Sequence, residues 1–108
     1  MVKVTVYRNS AGLYTGFDVW DHAEYAEEGT DIICAAVSAL TINCINSIER
    51  LTDTSFEHEA EEADARIRFR LKGAPGKDAD LLMQSFLLGI QEIENNYSRY
   101  VDLIIKEV

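Results

Sequence analysis

The sequence predicts an α+β fold of order ββαββαβ, a mostly antiparallel sheet with two helices packed on one face. Three observations carry this. Short segments alternate apolar and polar residues or are rich in β-branched ones, the period of strands. Two longer segments repeat apolar residues at spacings of three and four, the period of helices. Turn residues punctuate the joins. At 108 residues the chain is a single domain, residues 1–108.

Residues 2–8, Val-Lys-Val-Thr-Val-Tyr-Arg, alternate as a half-buried strand. Asn9, Ser10, Ala11 and Gly12 are turn chemistry. Leu13 to Trp20 resume the alternation, with Leu13, Thr15, Phe17 and Val19 on one face. The two strands form an antiparallel hairpin. Residues 21–30 have no period and read as a long acidic loop. Thr30 or Asp31 can cap the helix that follows, since a short oxygen side chain accepts from the first-turn amides. That helix runs to about Arg50, with a core stripe of Ile33, Val37, Leu40, Cys44, Ile48 and Leu51.

Residues 55–60 and 65–71 form a second hairpin. Arg66, Arg68, Arg70 and Lys72 share one face of its second strand, opposite Glu57 and Glu59 on the first. The arginine row is read as structural, with peptide docking as the alternative. Gly73, Ala74, Pro75 and Gly76 break the chain. A helix over 77–97 follows, with Leu82, Phe86, Ile90, Ile93 and Tyr97 on its buried face, helped by Leu81 and Leu88. Gly89 within it marks close packing. Residues 101–108 close the chain as a strand.

Net charge is −9. That excludes a nucleic-acid-binding surface, which needs a basic patch, and it suits a basic protein or peptide partner. No apolar run approaches the ~20 residues of a membrane span and no signal peptide opens the chain, so the expected location is cytoplasmic, without a membrane partner. The two cysteines, Cys34 and Cys44, lie about 15 Å apart on one helix, too far for a disulfide. Cys44 falls in the core stripe and reads as a small hydrophobe. Two cysteines and two histidines without paired spacing offer no metal site, and no cofactor is expected. His58 reads as a surface or half-buried residue.

The chemistry concentrates between His22 and Cys34. Spacings of three and four put Asp31, Cys34 and Ser38 on one face of the helix start. Amides and the positive dipole end there favour a thiolate, the nucleophilic form. His22, across eleven intervening residues, can supply proton transfer near neutral pH. The corresponding reaction is acyl transfer: thiolate attack on a peptide carbonyl, protonation of the leaving amine, hydrolysis of the thioester. Asp31 reads either as a helix cap or as a residue orienting His22 or the thiol. Ser38 reads either as a hydroxyl bonded to a backbone carbonyl or as a donor to the site.

The run His22, Ala23-Glu24-Tyr25-Ala26, Gly29 and Asp31-Ile32-Ile33-Cys34-Ala35-Ala36-Val37-Ser38 resembles the signature of the ribosomal-processing cysteine protease (Prp) family. Length and element order resemble it too. The resemblance implies an endopeptidase that removes the N-terminal extension of the twenty-seventh large-subunit ribosomal protein of bacteria. It implies a Cys34–His22 dyad supported by Asp31 and Ser38, a homodimer, and a mobile loop that orders around substrate. Where the family often has glycine, this chain has Asp21 and Glu24, which stiffen the loop and add negative charge. With Tyr25, Glu27, Glu28 and Gly29 they make up the expected substrate loop, whose carboxylates can steer a basic tail. The alternative is a non-catalytic dimeric factor that binds the same ribosomal protein during assembly.

Overall fold

The computed structural model describes residues 1–21, 30–61 and 66–108, apart from the side chains of Asp21, Thr30 and Asp31. The elements are β1 (Val2–Arg8), β2 (Tyr14–Asp21), α1 (Thr30–Leu51), β3 (Phe56–Glu61), β4 (Arg66–Leu71), α2 (Lys77–Asn96) and β5 (Val101–Glu107). The predicted ββαββαβ order holds, with bounds shifted by a residue or two at some ends.

The strands form one mixed sheet of order β3-β4-β2-β1-β5. Three pairings are antiparallel, and β5 pairs with β1 in parallel. Alternation sorts the side chains. Val2, Val4, Val6, Phe17, Val19, Phe69 and Leu71 enter the core beneath the helices. The opposite face carries Asp18 and the arginine row of β4, in register with each other at Asp18 and Arg68.

A shift in register between Tyr7 and Arg8 places Arg8 opposite Tyr14, leaving Thr15 as the extra residue. This bulge breaks the predicted alternation at its first step: Tyr14 packs against the core. Gly16 follows because an added Cβ would clash with the Phe69 carbonyl oxygen.

Stacked rings join the layers. Phe17 lies 5.0 Å from Phe69 and 4.4 Å from Phe86, tying β2 to β4 and α2. Full burial of each ring contributes on the order of 1.5–3 kcal/mol. Gly89 sits at the helix–helix contact, where a Cβ would come within 2.9 Å of Leu40 Cδ1. This is the close packing that its position predicted.

The helical stripes need correction. In α1, Ile33, Val37, Thr41, Cys44, Ile45 and Ile48 are buried, whereas Leu51 is exposed. In α2 the buried set is Ala79, Asp80, Met83, Phe86, Leu87 and Ile90. Leu81, Leu88 and Tyr97 are exposed. Leu81 and Leu88 lie at helical spacing on the side turned away from the sheet, whereas Tyr97 lies just past the end of α2. Buried Asp80 accepts from Tyr14 N–H (3.2 Å) and Gln84 Nε2 (2.7 Å), which ties the start of α2 to the start of β2.

The span Ile32–Leu51 is long and apolar enough to cross a membrane by length and composition. The expectation that no apolar run approaches that length therefore fails. Its only charges, Glu49 and Arg50, lie at its end, and one side of the helix is committed to the core.

Candidate active site

Cys34 is the fifth residue of α1, at the start of its second turn. The sequence predicts it at the helix start, and the structure sets it one turn further in. The dipole acts mainly within the first turn, but each Cα–Cβ bond tilts toward the helix N-terminus, which carries the sulfur back over that turn. Buried Ile33 and Val37 anchor this end of α1 in the core. Cys34 and Ser38 flank that anchor, both half-buried, one turn apart. Cys34 packs against the edge of the hydrophobic cluster. The thiol is thus sheltered on one side and reachable on the other.

The helix begins at Thr30, so Asp31 lies within its first turn rather than at the cap position. The Asp31 side chain is outside the described residues, as are His22, Glu24, Tyr25, Glu27, Glu28 and Gly29. The backbone of Asp21 ends β2, opposite Val2. β2 ends at Asp21 and α1 begins at Thr30, four residues before Cys34. Among the described residues, no group of three or more His, Cys, Asp or Glu could hold a metal.

The second thiol has a different environment. Cys44 is buried, its sulfur 4.0 Å from Met83 Sδ. Burial pushes its pKa up to about 12, so at neutral pH it is a thiol and a poor nucleophile.

The strand that leads to the loop is held by a network the sequence reading missed. Asp18 is nearly buried on the helix-free face. It accepts from Tyr7 Oη at 2.7 Å and from Arg70 Nη1 at 2.9 Å. Arg66 and Arg68 approach it at 3.8 Å. Burial pushes the Asp18 carboxyl up; the hydrogen bonds from Arg70 and Tyr7, with the arginine charges, outweigh it and hold it below the ordinary carboxylate value. Tyr7 is raised by burial and by its bond to Asp18. Arg66 also lies 4.2 Å over the Trp20 ring, one residue before the loop strand ends. The glutamates of β3 do stand opposite the arginines in register. The close ion pairs nevertheless go to Asp18, because it is the desolvated carboxylate. An aspartate between Phe17 and Val19 in mid-strand, with an arginine row in a later strand, is the available signal.

The chain resembles known proteins along its whole length. The family model described as cysteine protease Prp matches residues 1–102. The ribosomal processing cysteine protease Prp of Staphylococcus aureus is 28% identical over 106 residues, covering 98% of this chain and 100% of its own. The Bacillus subtilis protein of the same name is 25% identical over 101 residues, covering 90% of each chain. Among solved structures, an essential ribosomal processing protease Prp from S. aureus in complex with a substrate peptide matches with a TM-score of 0.92. It is 27% identical and covers 98% of this chain and 100% of its own. The S. aureus protease with a covalently linked product peptide matches with a TM-score of 0.88 at 28% identity, covering 98% of this chain and 100% of its own. By this match over nearly all of its length, the chain belongs to the cysteine protease Prp family.

Proposed function

We propose that the protein is a cysteine endopeptidase that removes the N-terminal extension of the twenty-seventh bacterial large-subunit ribosomal protein, acting as a cytoplasmic homodimer. The observation that carries the reading is the placement of Cys34. It is a half-buried thiol at the amide end of α1, twelve residues after His22 in the sequence. The covalently linked product peptide in the S. aureus relative supports a covalent route.

In this reading Cys34 Sγ attacks the scissile carbonyl carbon as a thiolate. A tetrahedral oxyanion forms and is stabilised by backbone amides at the start of α1. His22, as imidazolium, gives its proton to the leaving amine as the C–N bond breaks. Water, deprotonated by His22, then attacks the thioester; the C–S bond breaks, the acid product leaves, and the thiolate–imidazolium pair is restored. Asp31 and Ser38 support the pair from the same helix face. Asp21, Glu24, Glu27 and Glu28 draw in a basic tail, and Tyr25 and Gly29 shape the loop around it.

The test is cleavage of a peptide spanning that N-terminal extension, followed by mass spectrometry, with Cys34→Ala in parallel. A product made by the native protein and not by the variant is expected. Equal cleavage by both, or binding with no product from either, overturns the protease reading; the latter outcome points to an assembly factor.

A further inference from the structure

We infer that the free edge of β3 is a docking strand for an extended basic polypeptide segment, which joins the sheet as a sixth strand. The protease reading supplies the identity of that segment as part of the substrate; the docking itself is independent of it.

The sheet has two edges, and they are finished differently. On β5 the Leu103 N–H donates to the Glu94 carboxylate at 2.6 Å, so an amide of that edge is already occupied from α2. On β3, Lys72 N–H donates to the Ser55 carbonyl at 2.9 Å. Antiparallel partners alternate between bonded and non-bonded pairs. Glu57, Glu59 and Glu61 therefore bond inward to β4, while the backbone groups of Phe56, His58 and Ala60 point outward. Residues 57–61 are all exposed.

The side chains of this edge have a matching charge pattern. Glu57, Glu59 and Glu61 stand opposite Arg70, Arg68 and Arg66. Those arginines turn to Asp18. Among the described residues, Glu59 and Glu61 make no ion pair, and Glu57 reaches only Lys72, at 4.0 Å. An added strand would set every second side chain beside this glutamate row. The alternate ones would lie beside Phe56, His58 and Ala60. The edge thus fits basic residues at alternating positions with small or apolar ones between. Edge glutamates also discourage pairing with another copy of an acidic chain. Both effects follow from one charge: at a net −9 the edge repels its own kind and attracts a basic strand.

The edge also leads toward the end of β2 that precedes His22 in the sequence. Glu61 pairs with Arg66, and Arg66 pairs with Trp20, one residue before β2 ends. β3 lies two strand spacings, about 10 Å, from β2. An extended chain covers that in roughly three to four residues. A segment paired along β3 can therefore continue to the end of the sheet at which β2 stops, one residue before His22 in the sequence.

Isotope-labelled protein carrying Cys34→Ala is titrated with a short synthetic peptide alternating lysine and valine. The amides of Phe56, His58 and Ala60 are expected to shift and to gain protection from hydrogen exchange, more than those of Glu57, Glu59 and Glu61. A peptide methylated on alternate backbone nitrogens, and the Glu59→Lys/Glu61→Lys variant, should each weaken binding about tenfold. Equal binding of a glutamate–valine peptide, or shifts confined to other elements, would overturn the docking strand. Neither outcome bears on the protease reading, which rests on cleavage by the native protein.

Discussion

Cys34 and Cys44 share one helix, ten residues apart, and meet opposite surroundings. Cys44 lies on the buried stripe of α1 against Met83, with its pKa pushed up to about 12 by burial. Cys34 lies half-buried at the amide end of the helix. The same thiol is a core hydrophobe in one place and a candidate nucleophile in the other. Exposure and the direction of the helix field make the difference, since both act on the thiolate.

The sharpest way to break this comparison is to exchange the roles by mutation. Cys34→Ala is expected to lower peptide cleavage by at least ~10⁴-fold with little change in the urea midpoint. Cys44→Ala should retain cleavage and lose about 1–2 kcal/mol of stability by creating a small cavity. Cleavage assays and urea titrations on the pair check both halves; a Cys44 variant that loses cleavage while folded would sink the contrast.

A reagent can make the same distinction without mutation. With a pKa of about 12, Cys44 holds about 10³-fold less thiolate near pH 8 than an ordinary cysteine. Iodoacetamide should modify Cys34 and leave Cys44 untouched until the protein is unfolded, as read by peptide mass spectrometry. Modification of both at similar rates in the native protein would remove the distinction.

The strand feeding the Cys34 end supplies the next test. Asp18→Asn should cost about 1–2 kcal/mol at pH 7, since three arginines lose their shared carboxylate and their partial exposure screens the rest. The folded pKa of Asp18 is depressed, so its contribution is fully present above the unfolded value, near ~4. It is lost as pH falls through the lower folded value. Urea midpoints of native and variant protein should therefore converge in that acid window. A gap that stays constant down to pH 2 would contradict the assignment.

The smallest effect concerns access. If loop carboxylates steer a basic tail, cleavage efficiency should fall several-fold between low and high salt. Alkylation of Cys34 by a neutral reagent should not. A flat salt profile for cleavage would count against steering by Asp21, Glu24, Glu27 and Glu28.

Much of this molecule is readable without coordinates. Alternation in Val2–Arg8 and Arg66–Leu71 identified strands and the faces they bury. Spacings in α1 and α2 identify helices, and Gly89 marks a contact with Leu40. The errors have two causes. Leu51 and Tyr97 lie on the predicted stripes but are exposed where the helices end, whereas Leu81 and Leu88 have helical spacing and face away from the sheet. A second apolar stripe on one helix cannot be ranked until its partner is known. The bulge at Thr15 and the parallel docking of β5 on β1 depend on partners far along the chain. So does the capture of three arginines by Asp18.

The sequence by itself determined the element order, the strand faces and the distinct settings of the two cysteines, because periodicity and helix position are local properties. Tertiary structure decided that β5 joins β1 with an edge amide occupied by Glu94, and that β3 keeps an open acidic edge. It also decided that Asp18, rather than the glutamates opposite, holds the arginines. Those outcomes turn on desolvation and on which groups meet across the sheet, and a linear chain does not display either.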